Sequence, residues 1–586
     1  MRVRAPELQG RRWLNTGGED LTLAGLRGKI VVLDFWTFCC VNCLHALDEL
    51  RPVEEEFGDV LVVIGVHSPK FAHEADPAAV EAAVERYGVA HPVLDDPDLR
   101  TWDAYAARAW PTLVVIDPAG KVVARMAGEG HGPGLASLVR ELMVAHAGEL
   151  RHGSAAGDPY VAPAEPSTAL RFPGKVVALP GGTFLVSDTA HHQIVELEAD
   201  LVTERRRFGD GARGFGANHF SEPQGLLVLG DGDVLVADTV NHAVRRLHLT
   251  DGTVSTVAGT GSQLRERVLP GESATELSSP WDLAYWDGQV VVAMAGPHQL
   301  WTLDPDTGVA TVLAGTTNEG LRDGGADETF FAQPSGLAVD GDTLWVADSE
   351  TSALRRVQRG PGSLVTTAAG TGLFDFGHRD GPAAAALLQH PLGVGVLPDG
   401  SVAVADTYNG AVRRYDPATD TVSTLAEDLA EPSDVLVDGD TLIVVESAAH
   451  RLTRIPIPTG ATVDGAAHRV QRARTDLAPG TVELRVAFTP PAGQHLDDRF
   501  GDPTQLTVAA DPPSLLASGD GTSTGLTRTL TLTGDEGVLS VSVAAASCDD
   551  EGGTFAACHR YQQDWGIPVR LLDGAPAELS LDLRAV

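Results

Sequence analysis

A unit of about 50 residues recurs between Phe172 and Thr459, and it constrains the fold more than any other feature of the chain. Each copy opens with Pro-x-Gly, passes a Gly/Asp turn, reaches an apolar strand that ends in Ala-Asp-Thr, and continues to Arg-Arg. The clearest copies begin at Pro223, Pro334 and Pro391. A unit of this length cannot bury an apolar face alone, so consecutive copies must pack against one another.

Each copy predicts about four short strands joined by turns, which corresponds to one propeller blade. Three further copies are degenerate, around Ser187, Ala293 and Glu446. The repeat resembles NHL repeats, and this resemblance implies a six-bladed all-β NHL propeller over residues 166–462. Six blades in a ring would leave no long exposed sheet edge.

The polar residues of the repeat invite two interpretations. The Asp-Thr and Asn positions are typical of turn residues that bond local backbone. The Arg pairs, such as Arg245-Arg246, could bind a ligand, and some NHL propellers bind RNA. The chain has 43 Lys+Arg against 80 Asp+Glu, a net charge of −37 that repels phosphate backbones. We therefore expect the arginines to pair with carboxylates of neighbouring blades, no nucleic acid partner, and a propeller that is a protein-binding platform.

Residues 1–148 alternate strand and helix patterns and are followed by a linker over 149–165. Lys29–Phe35 and Val60–Val66 predict buried strands, and Asn42–Phe57 predicts an amphipathic helix. The pattern continues with helices over 77–87 and 98–107, a hairpin of strands 112–116 and 122–126, and a helix over 134–147. Strands separated by helices indicate an α/β domain whose central sheet is covered on both faces.

Cys40 and Cys43 stand where the first long helix begins, directly after a buried strand. A thiolate at a helix N-terminus is stabilised by the helix dipole and by free N–H groups. Such a thiolate attacks a substrate disulfide, and the second cysteine resolves the mixed disulfide. The pattern predicts a redox-active dithiol, for which a nearby carboxylate could serve as base.

The residues around the dithiol resemble thioredoxin-fold redox proteins, closest to the branch with an inserted strand and helix. Phe35-Trp36 precedes the cysteines, and Trp110-Pro111-Thr112 opens the next-to-last strand. The resemblance implies that Cys40 is an exposed nucleophile, that Cys43 is the buried resolving thiol, and that Asp34 moves its proton. It also implies that Pro111 lies in a cis peptide facing the disulfide, with Trp36 as part of the site. Val41-Asn42 replaces the Gly-Pro of thioredoxins.

Three alternatives remain open at this end of the domain. Cys39 could be a spare thiol, a regulatory thiol or an apolar filler. Thr37 and Cys40 match the Thr-x-x-Cys of peroxiredoxins, but that family's proline is Leu33 here, so a thiol peroxidase is the weaker hypothesis. Cys39, Cys40, Cys43 and His45 could form a metal set, but a second ligand pair at zinc-finger spacing is absent nearby. We expect no metal and no cofactor.

The remaining residues, 465–586, predict a small β-sandwich. Alternating runs such as Val482–Phe488 and Val538–Val543 indicate strands. Cys548 and Cys558 flank Gly552-Gly553 and weakly resemble the cysteine pair of immunoglobulin-like thiol-relay domains. They are possible accessory thiols or a pair of half-buried cysteines on a hairpin.

The order of the three regions resembles the NHL-repeat-containing protein 2 family. The resemblance rests on Phe-Cys-Cys-Val-Asn-Cys-Leu-His at 38–45, Gly65-Val-His-Ser68 and Gly128-Glu-Gly-His131. Our leading hypothesis is a thiol–disulfide oxidoreductase acting on protein disulfides, recycled by a thiol reductant. The alternative is an interaction scaffold with a vestigial redox fold. No apolar run suggests a membrane span, so we expect no membrane partner and a cytoplasmic protein.

Overall fold

The computed structural model describes residues 3–153, 160–162, 168–360, 364–457, 468–471, 474–490, 494–496, 501–549 and 558–584. The chain divides into two compact units. The first contains Met1–Glu165 and Ala473–Val586, and the second contains Pro166–Arg472. No helix in the described ranges has the length and apolarity needed to cross a membrane.

The N-terminal part of the first unit is a seven-stranded sheet with helices. Its strands are β1 (Val3–Arg4), β2 (Arg12–Leu14), β3 (Ile30–Trp36), β4 (Leu61–His67), β5 (Val93–Asp95), β6 (Thr112–Ile116) and β7 (Lys121–Ala127). The helices are α1 (Val41–Phe57), α2 (Pro77–Arg86), α3 (Arg100–Ala104) and α4 (Gly132–Ala145). The sheet order is β1-β7-β6-β3-β4-β5-β2. The predicted strand and helix alternation is confirmed, whereas the short strands β1, β2 and β5 carry no periodic pattern and were not predicted.

Strands β3 and β4 form the centre of this sheet. They pair in parallel and every residue of both is buried. Val31 and Leu33 enter one hydrophobic cluster, whereas Ile30 and Val32 enter another. Because successive side chains of a strand point to opposite faces, the sheet is covered on both sides, as predicted.

The second unit is all-β and consists mainly of consecutive small antiparallel sheets. The first two sheets contain β8 (Val176–Ala178), β9 (Phe184–Asp188), β10 (Gln193–Leu197) and β11 (Glu204–Phe208), and then β12 (Pro223–Val228), β13 (Val234–Asp238), β14 (Ala243–Leu247) and β15 (Val254–Ala258). The next two contain β16 (Ser273–Ala274), β17 (Pro280–Trp286), β18 (Gln289–Met294), β19 (Gln299–Leu303) and β20 (Ala310–Ala314), and then β21 (Pro334–Asp340), β22 (Thr343–Asp348), β23 (Ala353–Gln358) and β24 (Leu364–Ala369). The last two contain β26 (Gly381–Pro382), β27 (Gly393–Val396), β28 (Val402–Asp406), β29 (Ala411–Asp416) and β30 (Thr421–Ala426), and then β31 (Pro432–Asp438), β32 (Thr441–Glu446) and β33 (Arg451–Pro456). A separate pair joins β25 (Asp375–His378) to β34 (His468–Gln471).

The repeated Asp-Thr motif links the sheets that contain it to their surroundings. Asp238 accepts a hydrogen bond from the Ser221 backbone N–H at 2.7 Å and pairs with Arg245 at 3.0 Å. The Thr239 hydroxyl donates to the backbone carbonyl of Pro280, in the next sheet along the chain, at 2.7 Å. The motif therefore has the structural role that was predicted, extended to contacts between successive sheets.

The arginine pairs use carboxylates of their own sheet. Arg245, Arg355 and Arg413 are buried and pair with Asp238, Asp348 and Asp406, seven residues earlier in each case. The predicted pairing with a neighbouring blade was therefore wrong. The reason is geometric, because the arginine and the aspartate lie on adjacent antiparallel strands of one hairpin.

The C-terminal part of the first unit contains two further sheets. One has the order β35-β43-β42-β38-β40 with β37 beside β42, and the other has the order β39-β41-β36-β44. Their bounds are β35 (Thr475–Leu477), β36 (Gly480–Thr489), β37 (Gln494–Leu496), β38 (Thr504–Asp511), β39 (Leu516–Ser518), β40 (Gly521–Ser523), β41 (Thr527–Leu532), β42 (Glu536–Asp549), β43 (Cys558–Leu571) and β44 (Glu578–Arg584). Both sheets contribute to one hydrophobic cluster, against which Ala109 of the loop before β6 and Ala127 of β7 also pack.

Candidate functional site

The predicted dithiol lies at the start of α1. Cys40 is the N-cap residue with an extended backbone, and α1 begins at Val41. The Cys43 and Leu44 N–H groups donate to the Cys40 carbonyl at 3.0 and 3.2 Å. The buried strand β3 ends four residues earlier, so strand, loop and helix together place both thiols in one helical turn at the carboxyl end of the sheet.

The Cys40 side chain is close enough to Cys43 to affect its ionisation. Burial raises the pKa of Cys43 well above its ordinary value, and the side-chain hydrogen bond with Cys40 raises it further. The positive charge of Lys70 acts in the opposite direction. Cys43 is therefore the protonated partner, and its S–H can stabilise negative charge on the Cys40 sulfur.

The thiols are less accessible than the resemblance implied. Cys40 is 4% exposed, Cys43 0% and Cys39 3%, and all three carry thiols rather than a disulfide. The expectation of an exposed Cys40 was therefore wrong. The loops after β3 and β4 fold over this end of the sheet, for example where Phe38 stacks on His67 at 5.3 Å between ring centroids.

Two buried ionisable groups lie on the central strands β3 and β4. Asp34 is fully buried, and neither of its carboxylate oxygens has a hydrogen-bond partner among the described residues. Burial, with a contribution from Glu54, raises the pKa of Asp34 to about 8. His67 is also fully buried, and burial lowers its pKa to about 3. Unpaired buried groups of this kind are frequent at catalytic sites.

Trp110 and Pro111 form the loop before β6. Their peptide bond is cis, as the resemblance implied. Trp110 stacks on Trp102 with 4.1 Å between ring centroids, and its indole N–H donates to the Ser68 carbonyl at 2.7 Å. The Lys70 ammonium lies 5.5 Å from the Trp110 ring centroid. This loop and the loop after β4 are thus tied together.

Trp36, the last residue of β3, has a packing contact with the histidine of the neighbouring strand. Its ring meets His67 edge to face, with 5.3 Å between the centroids. The two residues are partners in the parallel register of β3 and β4. Trp36 therefore lies at the same sheet edge as the dithiol loop, as predicted from its position in the sequence.

The sequence reasoning missed Glu74. Its buried carboxylate accepts hydrogen bonds from the Thr37 hydroxyl at 2.6 Å and from the backbone N–H groups of Cys39, Lys70 and Phe71 at 2.8 to 2.9 Å. A signal was present, because β3 and β4 are parallel and the loops that follow parallel strands meet at one sheet edge. An acidic residue in the second loop could have been placed beside the first.

The contacts of Thr37 and His45 weaken the two rival chemistries. The Thr37 hydroxyl donates to Glu74, whereas the peroxiredoxin comparison would direct it to the reactive thiol. His45 contacts Glu129 through Nδ1 at 2.5 Å. No cluster of three or more His, Cys, Asp or Glu residues suited to a metal ion occurs within the described ranges.

The C-terminal cysteines lie on one hairpin. Cys548 is buried and disulfide-bonded. The register of β42 and β43 places Cys558 directly opposite Cys548. Cys548 is therefore oxidised in the same chain in which Cys40 and Cys43 are thiols.

Lys175 links several sheets of the second unit. Its ammonium group donates to the Leu392 carbonyl at 2.8 Å and lies 3.3 Å from Asp282 and 3.6 Å from Asp434. Burial opposes the positive charge, but the two carboxylates raise the pKa of Lys175 above its ordinary value. The three partners lie in or beside three different sheets, so one buried cation holds together the place where these sheets converge.

Comparison with known proteins identifies relatives of both units. The AhpC/TSA family model matches residues 1–125, and the NHL repeat model matches 331–356 and 388–415. Protein SUPPRESSOR OF QUENCHING 1, chloroplastic, of Arabidopsis thaliana is 36% identical over 442 residues, which is 71% of this chain and 41% of that protein. NHL repeat-containing protein 2 of Gallus gallus is 36% identical over 462 residues, 72% of this chain and 63% of that protein.

The N-terminal domain has smaller relatives of its own. Thiol-disulfide oxidoreductase YkuV of Bacillus subtilis is 27% identical over 123 residues, 21% of this chain and 82% of that protein. The N-terminal domain is therefore thioredoxin-like and homologous to thiol-disulfide oxidoreductases, and the all-β unit contains NHL repeats. The resemblance to NHL repeat-containing protein 2 is confirmed. The match spans less than two thirds of either long relative.

Proposed function

Because the chain is a homologue of NHL repeat-containing protein 2 with a thioredoxin-like N-terminal domain, we propose that it exchanges disulfides on a protein substrate through Cys40 and Cys43. The observation that carries the proposal is that Cys40 and Cys43 lie in the first turn of α1, with Cys40 as its N-cap residue. Cys40 is the N-cap residue, next to the free N–H groups of the helix, whereas burial raises the pKa of Cys43, so we assign the nucleophile to Cys40 and the resolving role to Cys43.

The reaction has two steps. The Cys40 thiolate attacks one sulfur of the substrate disulfide, so that a Cys40–substrate disulfide forms and the other substrate sulfur leaves as a thiolate. Cys43 then loses its proton and attacks the Cys40 sulfur, which releases the second substrate thiolate. The substrate gains two electrons, the dithiol becomes a disulfide, and a thiol reductant restores it.

Asp34 serves as the proton acceptor of the second step in this proposal. A general base works best when its pKa is near the working pH, and the pKa of about 8 is close to neutral. Desolvation is the main cause of the shift, because β3 is buried along its whole length. Pro111 and Trp36 would shape the substrate groove.

The second unit is assigned the role of a protein-binding platform, built as a six-bladed ring. The Phe172 N–H donates to His450 Nδ1 at 3.1 Å, and the Ser279 N–H donates to His242 Nδ1 at the same distance. The second link joins successive sheets, and the first joins the last sheet to the start of the first. The repeated link supports closure of the six sheets into a ring. For the C-terminal sheets of the first unit, we propose a β-sandwich.

The test is a titration of the full chain in dithiothreitol buffers, with alkylation and mass spectrometry to locate each disulfide. We expect a reversible Cys40–Cys43 couple within the range of about −270 to −180 mV found for known oxidoreductases. Cys40→Ser is the matched control, in which this couple is lost while the disulfide of Cys548 persists. The proposal fails if Cys40 and Cys43 remain unpaired across the whole range.

The burial of all three N-terminal thiols favours the scaffold alternative, in which the redox fold only packs. This alternative predicts that Cys40 and Cys43 are alkylated only after denaturation. It also predicts that Cys40→Ser leaves partner binding unchanged. A peroxidase is the third candidate, because the AhpC/TSA model matches this domain, and it requires that Cys40 react with peroxide faster than a free thiol.

A further inference from the structure

The Glu74 carboxylate connects the two loops that surround the dithiol, one oxygen for each loop. Oε1 accepts from the Thr37 hydroxyl and the Cys39 N–H, in the loop after β3. Oε2 accepts from the Lys70 and Phe71 N–H groups, in the loop after β4. Glu74 is fully buried, so four hydrogen bonds compensate the desolvation of its charge. Any movement of one loop relative to the other breaks bonds to this one carboxylate.

Lys70 belongs to the loop after β4. Its backbone is fixed by Glu74, and its buried ammonium group lies over the Trp110 ring. The Lys70 side chain thus extends from the loop after β4 to the loop that contains Trp110 and Pro111. Glu74 joins the Lys70 backbone to that of Cys39 in the dithiol loop, and the positive charge of Lys70 lowers the pKa of Cys43 against the effect of burial. Cys40 also acts on Cys43. Further buried ionisable groups on the elements around this end of the sheet are Asp34, His67, His45, Asp95 and Asp96.

We propose that Lys70 is a positioning residue that stabilises the Cys43 thiolate in the second step, and that Glu74 holds Lys70 where it can do so. The proposal rests on the proposed function, because it concerns the resolving step of that reaction. When Cys43 loses its proton, a negative charge forms in a buried place, and the ammonium of Lys70 compensates it. The new Cys40–Cys43 bond then removes the charge, as the substrate sulfur leaves as a thiolate and takes a proton from solvent.

The experiment follows the two steps separately in the full chain carrying Cys39→Ser. The probe is an aromatic disulfide whose leaving thiolate absorbs visible light. Attack by Cys40 releases one coloured thiolate, and resolution by Cys43 releases a second. The parent should therefore show two phases. The pH profile of the second phase reports ionisation at Cys43.

The variants separate charge from packing. Lys70→Met should slow the second phase about tenfold at pH 7 and move its midpoint up by about one pH unit, while the first phase changes less than about twofold. Lys70→Arg should restore the second phase. Lys70→Gln is the second neutral variant, in case Met disturbs the contact with Trp110. Glu74→Gln should slow the same phase, and combining it with Lys70→Met should add little, because both act through one charge.

Failure of this inference is distinguishable from failure of the proposed function. If the parent releases no first thiolate, Cys40 does not attack disulfides and the proposed function is wrong. If both phases occur and neither neutral Lys70 variant alters the second, Lys70 has no such role and the oxidoreductase proposal stands. A failure of Lys70→Arg to restore the rate would show that charge is not the cause.

Discussion

Buried ionisable groups of the repeat unit are held in ion pairs, whereas two of those at the thioredoxin-like site are not. In the repeat unit, Arg355 is buried against Asp348, and Lys175 has two carboxylates within 3.6 Å. At the thioredoxin-like site, Asp34 and His67 are as deeply buried, but their polar atoms lack hydrogen-bond partners among the described residues. Paired buried charges hold the sheets together, whereas a buried carboxyl group without a partner, such as Asp34, has a pKa raised to about 8 and can exchange a proton near neutral pH.

The largest effect is expected from breaking a buried pair in the repeat unit. Arg355→Met leaves the Asp348 carboxylate buried without its cation, so the free energy of unfolding of that unit should fall by about 3 to 5 kcal/mol. Chemical denaturation measures it. Arg356→Met is the matched control, since this half-buried neighbour makes one long hydrogen bond to Thr366, and its effect should stay below about 1 kcal/mol. Equal effects of the two variants would contradict the distinction.

Asp34→Asn should have the opposite sign and stabilise the thioredoxin-like domain. Between the ordinary carboxyl pKa of about 3.9 and the native value of about 8, the native state keeps a proton that the unfolded state loses. Stability therefore falls as pH rises through this window, by at most about 4 kcal/mol at pH 7. The variant should remove that slope in denaturation measured across pH.

The control for Asp34 is an exposed carboxyl of the same domain. Asp98→Asn changes a side chain that is 66% exposed, and it should leave the slope unchanged. Asp34→Asn should also slow the resolving step, because the proton acceptor is lost. An unchanged pH profile of stability would show that Asp34 titrates normally and is not an unpaired buried group.

Substitution of His67 should have a smaller effect, on the free energy of unfolding at acid pH. Its native pKa of about 3 lies below the unfolded value of about 6.5, so stability is lost as pH falls below about 6.5, by about 2 kcal/mol at pH 5. His67→Phe keeps a ring against Phe38 and removes the ionisation, so the free energy of unfolding should fall less steeply as the pH is lowered. His152→Phe changes an exposed histidine and is the control. The same loss of stability at acid pH in both variants would show that His67 is not the cause of this loss.

The smallest effect concerns Gln563, whose buried amide also lacks a hydrogen-bond partner within the described residues. A Cβ on Gly128 would lie 2.4 Å from the Gln563 amide nitrogen, whereas one on Gly18 would meet nothing within 4 Å. Both glycines have φ of +89°. Each alanine substitution should cost about 1 kcal/mol for the backbone, and thermal unfolding should show a further loss only at Gly128. Adding Gln563→Ala should recover that further loss.

Periodicity and spacing predicted much of this molecule. The buried run of β3, the amphipathic α1 and the recurring Asp-Thr motif are local patterns, and the elements that they predict are present. Glu74 could not be found in this way, because its function depends on two loops 35 residues apart in sequence meeting at one carboxylate. The own-sheet pairing of Arg355 with Asp348 likewise depends on the strand register.

The sequence by itself determined where the chemistry could lie, since Cys40 and Cys43 follow a buried strand and begin a helix. It also determined that the middle of the chain is built from repeated small sheets. Only the tertiary structure decided that Cys40 is buried, that Lys70 is placed to act on Cys43, and that Asp34 is left without a partner. Burial and charge at a point depend on every segment packed around it, and those segments are distant in sequence.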